Sequence, residues 1–290
     1  MDADLPYDLS APLFPEDTRA TPELIQVALT TAFPMTGDVD DEGWHAIHAL
    51  KMRGTREVFD AARTLCESDS LQAQNVGANI LGELGFNQDY PFRAEALPIL
   101  FHLLENQTDA EVLSTTCWAL GALGDSSAVE QLIKLKNHPD ADVRQAVVRG
   151  LWTHEDPLAV QTMIELSTDE DEDVRDWATF GLGSQIDLDT PAIREALYAR
   201  LSDSDDETMA EAMLGLTRLK DERMIQFLID FLMAGSVGSM TLEVAEEFAD
   251  PRLLPALLHL KAHKTSDYPY FEYLDKAIAA CRGDVDSPSQ

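Results

Sequence analysis

What this chain lacks narrows it first. It has three cysteines in 290 residues. Cys66, Cys117 and Cys281 are too few and too scattered for a disulfide framework or a zinc spacing, and they suit a reducing compartment. Basic residues are scarce: 21 stand against 53 acids, a formal net charge of −32 at pH 7. A field of that sign repels phosphate backbones, so no nucleic-acid partner is expected. No apolar run approaches the roughly 18 residues of a membrane span. The opening MDADLPYDLS has neither a basic n-region nor an apolar h-region, so no secretory signal is read there. A cytoplasmic protein without membrane contact is expected. Glycine and proline number only 15 and 14, and strand-like alternation is hard to find.

What is present favours helix. Hydrophobic residues make up 45% of the chain, enough for a sizeable core. Ala, Leu, Glu, Arg and Met crowd the periodic stretches. Five segments align with one another: SLQAQNVGANILGELGF from Ser70, DAEVLSTTCWALGALGD from Asp109, DADVRQAVVRGLWTHED from Asp140, DEDVRDWATFGLGSQID from Asp171 and DDETMAEAMLGLTRLKD from Asp205. Their first residues are 39, 31, 31 and 34 positions apart. The repeat length varies while the columns persist.

Each column has a physical cause. Ser70, Asp109, Asp140, Asp171 and Asp205 are N-cap residues, whose side-chain oxygens accept from the free amides of a first helical turn. Glu111, Asp142, Asp173 and Glu207, two residues inside, sit at the positive end of the helix dipole, with Gln72 in the same column. Val143 and Val147, or Val174 and Ala178, lie one turn apart. Leu81, Leu120, Leu151, Leu182 and Leu216 complete the buried stripe eleven places after each cap. A second apolar helix precedes each cap, marked by Leu65, Leu104, Leu135 and Leu166. The pattern predicts an all-α fold, an α-solenoid of about seven helical hairpins.

The acidic run Asp169-Glu170-Asp171-Glu172-Asp173 finds its explanation in that register, as a turn followed by a cap. A calcium-binding loop starting at Asp169 would need glycine sixth and glutamate twelfth, where Val174 and Phe180 stand. Beyond the five clear units, residues 221–249 and 251–282 read as two looser hairpins. TPELIQVALTTAF and DEGWHAIHALKM read as two helices at the front. Residues 1–20, with Pro6, Pro12 and Pro15, and residues 283–290 read as mobile ends around one solenoid domain over 21–282.

At DVRQAVVRGLW, DVRDWATFGLG and ADPRLLPALLHL the chain resembles the bacterial HEAT-repeat family that includes phycobilisome-lyase-like repeats, over roughly residues 55–264. From Asp173 through IREALYARLSDSDDETMAEAMLGLTRLKDERMIQFLIDFL to ADPRLLPALLHL it resembles the YibA-like proteins, which are encoded beside Rhs toxins and taken as candidate immunity proteins. The resemblance implies a right-handed superhelix, a right-handed α-solenoid whose second helices line a concave, partner-binding surface. It also implies that Arg144 and Arg175 bridge acids in neighbouring turns. Leu113, Met209 and Gln74 replace that arginine elsewhere, which predicts a broken ladder.

Enzyme readings fare poorly. Relatives of deoxyhypusine hydroxylase hold two irons with several His-Glu pairs; this chain has one adjacent pair, His154-Glu155, read as a turn element. His45 and His48 stand three apart on one helix without a third ligand nearby. DNA glycosylases of this type need a cationic groove, which a charge of −32 opposes despite Arg144, Arg149 and Arg175. No nucleophile elbow, Walker loop or dinucleotide fingerprint is present. The expectation is a non-enzyme with no catalytic residues, cofactor or metal. It is read as a monomer that binds another protein, with a basic toxin or effector domain fitting the charge. A chaperone-like factor of the bilin-lyase type is the alternative. The acidity could instead serve solubility alone.

Nine places after the caps stand Asn79, Trp118, Arg149, Phe180 and Leu214. Twelve places after stand Gly82, Gly121, Trp152, Gly183 and Thr217. If the stripe faces the core, both columns lean toward the concave side. Trp118, Arg149, Trp152 and Phe180 then form an aromatic-plus-arginine patch of hot-spot composition. The same large residues could equally fill gaps between adjacent helices. The insertion FNQDYPFRA, with Tyr90 and Phe92, is the other candidate contact, since solenoid insertions collect on one rim.

Overall fold

The computed structural model describes residues 17–30, 42–235, 237–265 and 267–283. Pro6, Pro12 and Pro15, and the tail after Gly283, lie outside those residues. Sixteen α-helices and no strand are found among the described residues. The chain divides into two compact units, Met1–Leu158 and Ala159–Gln290.

In the first unit the helices are α1 (Thr21–Ala28), α2 (Glu42–Arg53), α3 (Arg56–Cys66), α4 (Leu71–Glu83), α5 (Arg93–Asn106), α6 (Ala110–Leu123), α7 (Ala128–Ile133) and α8 (Ala141–Leu151). Odd-numbered helices open each hairpin and even-numbered ones close it. The closing helices stack in order, α2 on α4, α4 on α6 and α6 on α8. Helix α9 (Pro157–Leu166) begins at the unit boundary. The second unit continues with α10 (Glu172–Phe180), α11 (Pro191–Arg200), α12 (Asp206–Arg218), α13 (Arg223–Ala234), α14 (Ser239–Phe248), α15 (Leu254–His263) and α16 (Phe271–Arg282). There α10 packs on α12, α12 on α14 and α14 on α16. The hairpins expected from the sequence are thus eight pairs when α1–α2 is counted.

The cap column does what its chemistry dictates. Ser70 accepts from the Ala73 amide at 3.3 Å, Asp109 from Val112 at 3.2 Å, Asp140 from Asp142 at 2.9 Å, Asp171 from Val174 at 3.2 Å and Asp205 from Thr208 at 2.6 Å. The acidic run is therefore a turn and a cap. The leucine column is sealed: Leu81 is 1% exposed, and Leu120, Leu151, Leu182 and Leu216 are fully buried. Each such side chain contributes about 1.5–3 kcal/mol by leaving water.

The glycine column behaves differently from the sequence reading. Gly82, Gly121 and Gly183 are buried, and they face the next closing helix. A Cβ on Gly82 would lie 2.6 Å from Ala119 Cα, one on Gly121 2.6 Å from Gly150 Cα, and one on Gly183 3.1 Å from Gly215 Cα. These three glycines let neighbouring backbones touch; they do not lean toward an open side, whereas Trp152 of the same column stays half-buried. After Phe180, helix α10 widens into a π turn over Gly181–Gln185, closed by the Ile186 amide on the Gly181 carbonyl at 3.3 Å. Arg218 of α12 donates to the Gly183 and Ile186 carbonyls at 2.7 and 2.8 Å, satisfying groups that the widened turn releases.

The turn ladder also departs from expectation. Arg175 pairs with Asp203 of the following turn at 3.0 Å and donates to the Asp169 and Glu170 carbonyls. Arg144 donates to the His138 and Pro139 carbonyls at 2.9 and 3.3 Å. Gln74, read as a break, does the same work with an amide. It donates to the Ser68 carbonyl at 2.7 Å and accepts from Gln107 of the next turn at 2.6 Å. Cys66, Cys117 and Cys281 are buried free thiols, pushed by burial up to about 12, about 12 and about 11.

Candidate protein-binding face

Two, five and nine residues after the caps of α6, α8 and α10, the closing helices expose side chains that the opening helices do not cover. In α6 these are Glu111, Ser114 and Trp118; in α8, Asp142, Gln145 and Arg149; in α10, Asp173, Asp176 and Phe180. The spacing of three and four keeps them on one side of each helix. Each is exposed or partly exposed, while the columns three, seven and eleven after the cap are buried.

In the first unit the face gathers around one ammonium. Lys51, from the last turn of α2, is only 5% exposed. Its Nζ lies 2.6 Å from Glu83 Oε2 on α4 and 4.9 Å from the centre of the Trp118 ring on α6. Burial lowers the Lys51 pKa, and Glu83 partly offsets that. One side chain thus ties three successive closing helices, with the Trp118 face as its second neighbour. Further along, Arg149 sits 5.8 Å above the Trp152 ring, just past the end of α8. Trp118 and Trp152 are half-buried and Arg149 is exposed. On α4, Asn75 and Asn79 are 2% and 5% exposed. The oxygens of both amides, and Ser114 Oγ on α6, are covered and have no hydrogen-bond partner. Asn75 Nδ2 donates to Glu111 at 3.2 Å.

Phe180 belongs to the second unit, where it meets Trp177 edge-on at 5.8 Å. Its surroundings are acidic. Asp176 on α10 is raised to about 6, by burial first and then by Glu207, Asp205 and Asp173. Glu211 on α12 is raised by burial and by Asp176. One oxygen of each carboxyl is covered and has no donor. Away from this face, Asp221 is paired: it is held down at about 2 by hydrogen bonds from Arg223, with help from Arg194.

The insertion candidates fold onto their own hairpin. Phe92 stacks on Phe59 of α3 at 5.1 Å, with Arg56 over both rings, and Arg93 lies over Tyr90 at 5.0 Å. Both remain half-buried. His48 stacks flat on Trp44 at 5.5 Å, and His45 meets the same indole edge-on at 6.0 Å. His154 is 6% exposed in the turn after α8, its pKa lowered by burial.

Sequence reading missed Lys51, Glu83 and Asn75. The signal for two of them was available: Asn75, Asn79 and Glu83 recur every four residues, a polar stripe on one side of α4. Lys51 precedes the first clear repeat, so no column could place it.

A stack of capped two-helix units with a buried leucine column is the architecture of helical-repeat proteins, and family comparison makes the class specific. HEAT repeats match residues 72–152, 97–183 and 160–240, more than half of the chain, which therefore belongs to the HEAT-repeat family. Among individual relatives, Protein YibA of Escherichia coli (strain K12) is 35% identical over 81 residues, 28% of this chain and 29% of that protein. The match thus spans under a third of the curated relative's length. The crystal structure of YibA superposes with a TM-score of 0.65 at 22% identity, covering 90% of this chain and 97% of the other; it shares the fold. The complex of CpcE and CpcF of phycocyanin lyase from Nostoc sp. PCC7120 matches with a TM-score of 0.45 at 17% identity, over 80% of this chain and 90% of that one.

Proposed function

We propose that this protein is a non-catalytic scaffold that holds another protein against the open face of its closing helices, and that the partner is a basic toxin domain which it masks. The observation that carries the reading is the row Trp118, Arg149 and Trp152 on α6 and α8. Two aromatic rings with cations stacked on them offer large, rigid contact area at small entropic cost, the composition from which interface anchors are made. The carboxylates Asp173, Asp176, Glu207 and Glu211 of the second unit supply charge that steers a basic partner and strengthens selectivity for one. Immunity, as the version of this role, rests on the resemblance to YibA-like proteins together with the charge; a HEAT fold alone does not choose among functions.

The test reads the neighbouring genes for a toxin domain and measures its binding by calorimetry, with Trp118→Ala and Phe180→Ala as probes. We expect binding by the parent and at least tenfold weakening by Trp118→Ala. Unchanged affinity with both variants would remove the patch. A neighbouring phycobilisome gene, with binding to its product, would replace immunity by the bilin-lyase type of role.

A further inference from the structure

The opening helix α15 ends on HLKAH, residues 259–263. Histidines four apart on a helix stand on one side, one turn above the other. His259 and His263 are both exposed, and their rings lie 4.1 Å apart, centre to centre, at a tilt of 32°. His45 and His48 differ, being half-buried against Trp44.

One ring of the exposed pair is already oriented. His263 Nδ1 lies 2.8 Å from the His259 carbonyl oxygen. A carbonyl only accepts, so Nδ1 carries the proton and the neutral ring keeps its lone pair on Nε2. Metal-bound histidines are held the same way, their other N–H donating to a carbonyl or carboxylate. No hydrogen bond among the described residues holds the His259 ring, so it can turn to the same point. Two nitrogens bound to one ion at about 2.0–2.1 Å stand about 3 Å apart. Rings 4.1 Å apart reach that separation by rotation alone. The neighbouring charges favour a cation. Lys261 is engaged by Asp275 of α16, and Lys264 by the Gly235 carbonyl at 2.6 Å and the Tyr268 ring at 4.7 Å. The pair also lies in the last turns of α15, at the negative end of the helix dipole.

We propose that His259 and His263 form a two-ligand site for a transition-metal ion that favours imidazole, copper(II) before nickel(II) and zinc(II). The order is that of divalent ions at nitrogen ligands. No third histidine, cysteine or carboxylate joins the pair among the described residues. Water, or a donor from another molecule, fills the remaining positions. Magnesium, which demands oxygen ligands, should not bind there. The site lies on an opening helix and does not depend on the protein-binding reading.

The test is calorimetric titration of the untagged full chain with copper(II), zinc(II) and magnesium chlorides. We expect micromolar copper(II) binding, weaker zinc(II) binding and no response to magnesium. His259→Ala and His263→Ala should each weaken copper(II) binding at least tenfold. Because both side chains are exposed, Tm without metal should stay within about 2 °C. The electron paramagnetic resonance spectrum with one equivalent of copper(II) should show two imidazole nitrogens in the parent and fewer in either variant. His45→Ala should bind as the parent does. Binding only at millimolar copper(II), His259 or His263 variants that bind as the parent, or a parent spectrum without two imidazole nitrogens would each overturn it.

Discussion

On α4 and α6 the columns five and nine residues after the cap hold Asn75, Asn79, Ser114 and Trp118. On α10 and α12 the same columns hold Asp176, Phe180, Ala210 and Leu214. One backbone plan thus carries two kinds of unsatisfied chemistry. In the first unit the covered atoms without partners on this face are neutral, so their cost, about 1–3 kcal/mol each, does not vary with pH. In the second they are carboxyl oxygens of Asp176 and Glu211, whose cost falls on protonation. Elsewhere in that second unit, arginines hold Asp203 and Asp221 tightly. The contrast shows that Asp176 and Glu211 stand unneutralised in a unit whose arginines pair with Asp203 and Asp221.

The largest effects test whether both units depend equally on the shared core. Leu151→Asp and Leu182→Asp bury an unpaired charge in the first and second unit, and each should cost more than about 4 kcal/mol, read as loss of the thermal transition or aggregation. Tolerance of both would break the register on which the comparison stands. Next, Glu83→Gln leaves the Lys51 ammonium buried without its counter-charge. Because the Glu83 side chain is 32% exposed, the loss should be about 2 kcal/mol by chemical denaturation, below that of a fully buried pair.

Two substitutions in the second unit should move in opposite directions. The Asp221 pKa is lowered to about 2 in the fold, so its pairing stabilises fully above the ordinary carboxyl value and fades as pH falls toward 2. Asp221→Asn should therefore lower Tm at pH 7 and cost progressively less below pH 4. Asp176 is raised to about 6, so its charge destabilises the fold fully above pH 6 and not at all once pH falls below about 4. Asp176→Asn should raise stability by about 1 kcal/mol at pH 7, a gain that disappears in melts at pH 4. The smallest effect belongs to Glu170→Ala in the exposed turn, within about 0.5 kcal/mol.

Caps, leucine stripe and hairpin order were legible because each follows from local chemistry repeated in register. The glycines of the twelfth column were misread for a related reason: a helical wheel tells which residues share a side, but not which neighbouring helix comes close enough to need them small. Gln74 was misread because its column was judged by charge, whereas the turn needs only a donor to a carbonyl. Of the candidate face, Trp118 and Arg149 stood out by size and charge. Lys51 could not, since its partners Glu83 and Trp118 lie 32 and 67 positions away in sequence and meet it only through stacking.

The three sealed cysteines give the native chain a built-in clock. A thiol with its proton held that firmly does not react with iodoacetamide until its surroundings open. Cys66 and Cys117 report on one unit and Cys281 on the other, so alkylation rates in mild denaturant, read peptide by peptide, would time the local opening of each half without any engineered label.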